Sequence, residues 1–169
     1  IQTAAQTNIT SVGTLTGLTV AGNILPSANV TYNLGSSTAW WNTIYGKAVQ
    51  AQYADLAEKY VSDQEYPVGT VVSIGGDAEI TACKFGDRAI GAISQSPAYL
   101  MNSECDGQAV ALKGRVPVRV IGSIRKGQRL IAGDNGCAVA GVPHSSDVFA
   151  IALENSDDTS EKIIEALIL

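Results

Sequence analysis

The stretch Gln52-Tyr53-Ala54-Asp55-Leu56-Ala57-Glu58-Lys59-Tyr60 separates two unlike parts of the chain. Before it, the sequence is rich in Thr, Asn and Gly and has few charges; after it, short apolar runs alternate with turn residues. Alanine is a strong helix former, and neither Gly nor Pro interrupts the chain between Lys47 and Tyr66. The stretch therefore predicts one or two turns of helix at the junction.

The helix prediction suggests a chemical role for Asp55 and Glu58. Residues three apart in a helix lie on one face, so the two carboxyl groups would be neighbours. Neighbouring carboxylates can raise the pKa of one of them and divide acid and base roles. Charged pairs on short helices also commonly face water without any further role. The spacing alone leaves both interpretations open.

Composition argues against several classes of protein. Charged residues make up 16% of the 169 residues and the net charge is −5, which argues against a nucleic-acid partner. The apolar runs are too short to cross a bilayer, so we expect no membrane insertion. The chain begins at Ile1 without a signal peptide, and we expect it to be part of a longer protein or a processed product.

No pattern for a metal or a cofactor stands out in the sequence. Cys83, Cys105 and Cys137 are an odd number without Cys-x-x-Cys spacing, which argues against a disulfide framework and a zinc site. We expect reduced, mostly buried thiols in a chain made in a cytoplasm. The single histidine, His144, is expected in a loop. We therefore expect neither a metal nor a cofactor.

The N-terminal part, residues 1–50, shows strand patterns but too little apolar surface for a core. Thr, Ser, Asn and Gly separate regularly spaced apolar residues, which are Ile9, Val12, Leu15, Leu18, Val20 and Ile24. One chain offers only a narrow apolar stripe, so we predict intertwined β-structure whose core is shared between copies. A flexible linker is the alternative, because low charge and frequent Gly fit it as well.

Aromatic residues near the end of the N-terminal part are candidate contact residues. Trp40, Trp41 and Tyr45 lie in a small polar segment, and aromatic side chains carry much of the energy of interfaces. We expect one tryptophan to fill a local core and the other to pack on a neighbouring chain; stacking on a sugar is the alternative. Tyr99, in a predicted loop at 96–107, is a further candidate contact.

From Tyr66 onwards, turn residues recur every eight to twelve positions, which is typical of a β-barrel or sandwich. Strands are predicted at 70–74, 78–83, 89–94, 108–112, 115–121, 128–132, 137–140, 148–153 and 162–169. Pro117 predicts that its strand is an edge strand or carries a bulge. The fold class is therefore all-β: a shaft and aromatic connector at 1–50, and a compact domain at 51–169.

Several runs of the compact domain are similar to a known family. They are Ala54–Glu58, Ala89–Ser94 followed by Pro97, Gly114–Val120, Lys126–Ile131 before Asn135-Gly136, and Ala150–Glu154. Residues 53–169 thus resemble the C-terminal intramolecular chaperone domain of phage neck appendages and tail fibres, described as autoproteolytic. The upstream runs Asn33–Ser36 and Trp41–Tyr45 look like the segment that often precedes such domains in fibre proteins.

The resemblance implies a homotrimer at the distal end of a virion fibre, assembled in the host cytoplasm. A low-complexity shaft has a weakly specified register, and a domain that trimerises first would align its three chains. Our main hypothesis is therefore a structural virion protein whose C-terminal module caps a trimeric tail fibre or appendage. Attachment to a host receptor, a glycan or a protein, is an alternative role for a fibre tip.

The resemblance also implies self-cleavage between Ala54 and Asp55. Asp55 would assist through its own carboxyl group, and Glu58 would act as general acid or base in a single turnover. Lys59 beside Glu58 favours the ionised carboxylate, which weakens it as an acid. An uncleaved cap is therefore the main expectation, and a self-cleaving chaperone is the alternative.

Overall fold

The structure is a computed structural model that describes residues 10–142 and 146–169. It divides into two units, Ile1–Lys47 and Ala48–Leu169. Ile9 and His144, for which the sequence predicts a strand position and a loop, lie outside the described residues. In the part that is described, no helix is long and apolar enough to span a membrane.

The first unit is exposed along its whole described length. Residues 10–47 contain no strand, and their one backbone bridge joins Ser36 to Ala39. Large apolar side chains are exposed to solvent in this unit; Leu18, for example, is 70% exposed. Within residues 10–47, a single copy therefore has neither partner strands nor a core, and the intertwined shaft remains a prediction.

The described part of the second unit consists of strands, most of them short, and a 3-10 turn at Asp134–Gly136. The strands are β1 Asp55–Tyr60, β2 Val71–Ile74, β3 Ile80–Ala82, β4 Ala89–Ile93, β5 Tyr99–Met101, β6 Gln108–Val120, β7 Arg129–Ala132, β8 Ala138–Ala140, β9 Ala150–Ala152 and β10 Lys162–Ile168. The prediction of a compact all-β domain is confirmed.

A barrel forms the centre of this unit. The strand order β10-β9-β7-β8-β6 is closed because β6 also pairs with β10. Alternate residues of the two longest strands point into the barrel, as the period of two requires: Val116, Val118 and Val120 from β6, and Ile164, Ala166 and Ile168 from β10. These buried side chains form the main hydrophobic core.

The first half of β6 extends beyond the barrel and carries the remaining strands. It pairs with β1 on one side and with β4 on the other, and β4 continues through β2 to β3. β5 is added to β1 in parallel. A second, smaller core lies under this extension and consists of Tyr66, Val72, Ile80, Ile93 and Val110.

The predicted junction helix is wrong, because Asp55–Tyr60 is a strand. Its backbone pairs with β6 in an antiparallel register from Asp55↔Gly114 to Tyr60↔Gln108, with an irregularity between Leu56 and Ala57. The long β6 strand offers a full set of backbone partners, and that tertiary pairing outweighs the modest helix preference of the alanines.

Two other local predictions are also wrong. The sequence predicts two strands, 108–112 and 115–121, with a break at Lys113-Gly114, but Gln108–Val120 is one strand, β6. The loop expected at 96–107 contains β5. Pro117 has only β10 as a strand neighbour, at Glu165, so β6 is locally an edge at this residue.

Candidate functional site

The Ala54–Asp55 peptide, at the start of β1, lines a cleft with a volume of about 320 Å³. The cleft is bounded by the backbone that enters β1, by the end of β4, by β6 and by one residue of β10. Its lining residues are Gln52, Tyr53, Ala54, Asp55, Val68, Ser94, Gln95, Ser96, Arg115, Val116, Pro117 and Glu165. The bond singled out in the sequence therefore lies at an open surface.

Backbone hydrogen bonds hold the carbonyl oxygen of this peptide and that of the next peptide along the chain. The Arg115 N–H donates to the carbonyl oxygen of Ala54 at 3.2 Å, and the Ala98 N–H donates to that of Asp55 at 2.9 Å. Gly114 makes the close approach feasible: its φ is +109°, and an added Cβ would lie 2.2 Å from the Ala54 oxygen. The site thus requires glycine on the β6 side.

The Asp55 side chain is buried, with 5% of its surface exposed. Ser94 donates its hydroxyl to Asp55 Oδ2 at 2.7 Å, and the Ser94 N–H is itself anchored on the carbonyl of Ala109 at 2.8 Å. A buried carboxylate needs such a donor, because burial without one is costly. The arrangement places an oriented carboxyl group beside a peptide carbonyl that already accepts a hydrogen bond.

Glu58 has a different environment. Its Oε2 accepts the hydroxyl of Tyr60 at 2.9 Å, and the pKa of that tyrosine is raised, first by burial and then by Glu58. Residues three apart in a strand point to opposite faces, so the structure does not place Glu58 beside Asp55 as a helix would. The catalytic role of the pair stays a prediction.

The aromatic candidates are exposed in the structure. The Trp40 indole N–H donates to the carbonyl of Ser37 at 3.1 Å, which folds the ring back on its own turn. Trp41 packs beside Gly35, whose φ is +87°, and Tyr45 is 95% exposed. Tyr99 lies on β5, opposite Leu56 of β1, and is exposed as well. Their role in contacts between chains stays a prediction.

Sequence reasoning missed the residues that hold the Ala54–Asp55 bond. Ser94 ends one of the family-like runs and Gly114 begins another, but nothing local links either residue to Asp55. They meet because β1 and β4 both pair with β6. Within residues 10–142 and 146–169, no group of His, Cys, Asp and Glu is arranged to hold a metal ion.

Comparisons with known proteins identify solved structures that have a similar fold. No protein family model and no curated protein matches the chain. Among solved structures, the pre-mature bacteriophage phi29 gene product 12 aligns with a TM-score of 0.60 and 16% identity, over 75% of this chain and 23% of that one. The C-terminal fragment of the same gene product aligns with a TM-score of 0.54 and 16% identity, over 68% of this chain and 100% of the fragment.

The chain therefore shares the fold of the C-terminal fragment of that phage protein. A third structure, the head fiber gp8.5 N base of bacteriophage phi29, aligns with 20% identity over 71% of this chain and 89% of that one. Its TM-score of 0.35 is too low to support a shared fold. The chain spans about a quarter of the length of the pre-mature gene product 12, and at 16% identity the likeness extends to the fold alone.

Proposed function

We propose that this chain is a structural virion protein, the C-terminal module of a phage tail fibre or appendage. In this proposal, residues 51–169 hold three identical chains together and residues 1–50 form a shaft and connector. The observation that carries it is the fold shared with the C-terminal fragment of phi29 gene product 12, a phage protein. The partners would be two further copies, the rest of the fibre and the virion.

The exposed first unit supports a trimer. Every residue from 10 to 47 is exposed, including Leu15, Leu18 and both tryptophans. Monomeric proteins rarely leave so many large apolar side chains of one segment in water, and packing between copies would cover them. Closed rotational symmetry is the usual way for identical chains to share such a core.

The mass of the particle in solution tests this proposal. We expect about three times the chain mass of 17.5 kDa by light scattering at micromolar concentration. Intact-chain mass spectrometry on the same sample should show one uncut species. A monomer would contradict the trimer, and with it the shared core on which the proposal depends.

The second candidate function is single-turnover self-cleavage between Ala54 and Asp55. The favouring observation is the buried Asp55 carboxyl group beside a peptide bond that is held in an open cleft. A freshly translated chain should give two fragments that separate at this bond, and Asp55→Asn should stay whole. Glu58→Gln tests the second member of the pair independently. Equal amounts of intact Asp55→Asn and wild-type chain over time would remove this candidate.

Host attachment is a third role, favoured by the exposure of Trp40, Trp41, Tyr45 and Tyr99. Exposed aromatic side chains suit either a neighbouring chain or a receptor. Binding of intact trimers to host cells or to a glycan array separates the two. Trp41→Ala should lower such binding without changing the trimer if the receptor role is correct, and should weaken the trimer if the ring packs between chains.

A further inference from the structure

Two hydrogen-bond donors hold the two reacting halves of the Ala54–Asp55 site. Ser94 Oγ lies 2.7 Å from the carboxylate of Asp55, and the Arg115 nitrogen lies 3.2 Å from the carbonyl oxygen of Ala54. We propose that Ser94 aims the Asp55 carboxylate and that the Arg115 backbone N–H stabilises the oxyanion on Ala54 during cleavage. This inference rests on the self-cleavage candidate and adds two groups to it.

The Arg115 N–H points towards the cleft because of its place in β6. Arg115 and Arg119 lie on the same side of the strand, and their N–H groups donate to Ala54 and Gly69, away from β10. Pro117, between them, lacks an N–H, so of these three residues only Arg115 donates to the carbonyl of Ala54. A donor that is fixed before reaction is worth most when negative charge develops on the oxygen that it faces.

Ser94 acts on the other reacting group. It directly follows β4, and its backbone N–H donates to the carbonyl oxygen of Ala109 in β6. The backbone from which its hydroxyl group extends is therefore held in place. The hydroxyl holds one carboxylate oxygen of Asp55 and leaves the other, Oδ1, for attack on the adjacent carbonyl carbon. Orientation of this kind can supply a large part of the rate in an intramolecular reaction. Ser94 is therefore a positioning residue.

The cleavage reaction that these groups would assist needs water as its only co-reactant. Asp55 Oδ1 forms a bond to the carbonyl carbon of Ala54, and the carbonyl oxygen takes the negative charge beside the Arg115 N–H. The bond from that carbon to the Asp55 nitrogen then breaks, and the nitrogen takes a proton from water and leaves as an amine. A water molecule hydrolyses the resulting anhydride, which gives the Ala54 carboxylate and restores that of Asp55. No oxidation or reduction takes place.

Substitution of Arg115 isolates the backbone donor. Arg115→Pro and Arg115→Ala both lack the guanidinium group, but only the proline variant lacks the N–H, so the ratio of their cleavage rate constants reports that donor. We expect Arg115→Pro to cleave about 100-fold more slowly than Arg115→Ala. Pro117 shows that this side of β6 accepts proline. The readout is the intact mass of freshly translated full chain as a function of time.

Substitution of Ser94 tests the positioning role and does not depend on a proline variant that folds. We expect Ser94→Ala to lower the rate constant by about 10- to 100-fold and Ser94→Thr, which keeps the hydroxyl, to restore most of it. Equal thermal midpoints for the two variants would exclude a merely structural effect.

The outcomes separate this inference from the function on which it rests. Wild-type chain that cleaves at Ala54–Asp55, together with Ser94→Ala and Arg115→Pro variants that cleave at the rates of their controls, would overturn the inference and leave self-cleavage intact. Wild-type chain that never cleaves would overturn both. Slow Ser94→Ala with rescue by Ser94→Thr, or a slow Arg115→Pro against Arg115→Ala, supports the inference.

Discussion

The carbonyl oxygen of Ala54 lies 2.2 Å from the position that a Cβ atom on Gly114 would occupy. No side chain fits in that space, so the entry to β1 can approach β6 only where β6 has a glycine. The positive φ of Gly114, +109°, is a second reason for the same choice. One residue thus sets both the position of the Ala54–Asp55 bond and the start of the β1–β6 register.

Gly114→Ala should therefore destabilise the barrel unit strongly. We expect a loss of about 3 kcal/mol or more in the free energy of unfolding, from left-handed strain and from the clash with Ala54. Gly127→Ala is the matched control, because Gly127 also has a positive φ, +84°, but an added Cβ meets no atom within 4 Å. Its cost should be about 1 to 2 kcal/mol. Urea unfolding measures both, and equal losses would contradict the close-approach argument.

Leu18→Asp should weaken the proposed trimer without unfolding the barrel. Burial of a leucine between chains is worth about 1.5 to 3 kcal/mol, so we expect dissociation at a concentration at least about tenfold higher than for wild type. Thr14→Asp introduces the same charge at a polar, exposed position of the same unit and is the control. Sedimentation over a concentration series gives the comparison. If the two variants behave alike, Leu18 does not lie in a shared core.

Tyr66→Phe should change how stability depends on pH. The Tyr66 hydroxyl donates to Asp63 and accepts the Ala82 N–H at 3.0 Å, and its bond to Asp63 is the main cause that lowers the pKa of that carboxyl group. A carboxyl group whose pKa is lowered in the folded state stabilises the fold at pH values above its ordinary pKa, near 4. This stability is lost as the pH falls through the pKa of the folded state. Wild type should therefore lose this contribution below about pH 4, and Tyr66→Phe should lose less.

At neutral pH, Tyr66→Phe should also be less stable by about 1 to 3 kcal/mol, because the Ala82 N–H loses its acceptor. Tyr32→Phe, at an exposed tyrosine of the first unit, is the control and should match wild type at every pH. Urea unfolding of the three proteins at pH 7 and at pH 3 gives the six free energies that are needed. If the free energies of unfolding of Tyr66→Phe and wild type depend on pH in the same way, the Tyr66 hydroxyl does not lower the pKa of Asp63.

The three cysteines should differ in their reaction with a thiol reagent. Burial is the main cause that raises the pKa of Cys83 to about 11 and also raises the pKa of Cys137, so little thiolate forms at pH 8. Cys105 is partly exposed. We expect one fast-reacting thiol in the native protein, which Cys105→Ser removes, and two more in denaturant. Fast native labelling at Cys83 would show that the barrel core opens easily.

Local patterns in the sequence predicted most of the compact domain. The hairpin strands β2 and β3 and the strands at Ala89–Ile93 and Lys162–Ile168 were predicted from turn residues and β-branched runs. These elements depend on their own side chains and on nearby turns. To predict the closed barrel, one further argument is enough: a sheet of short strands has exposed edges, and closure into a barrel removes them.

The elements that the sequence did not predict depend on distant partners. Alanines favour a helix at Asp55–Tyr60, but β6 offers a strand edge there, and the same edge holds Gly114 inside one long strand instead of a turn. β5 is short and exists because β1 lies beside it. Local propensity is a weak term, and pairing with residues far along the chain decides such segments.

The candidate site divides in the same way. The sequence by itself determined that Ala54 and Asp55 belong to a motif worth testing, because the run resembles a known family. Only the tertiary structure placed Ser94 and the Arg115 N–H on either side of that bond and moved Glu58 to the other face of β1. The physical reason is register: the pairing of β1 and β4 with β6 sets which side chains meet, and no local pattern contains that information.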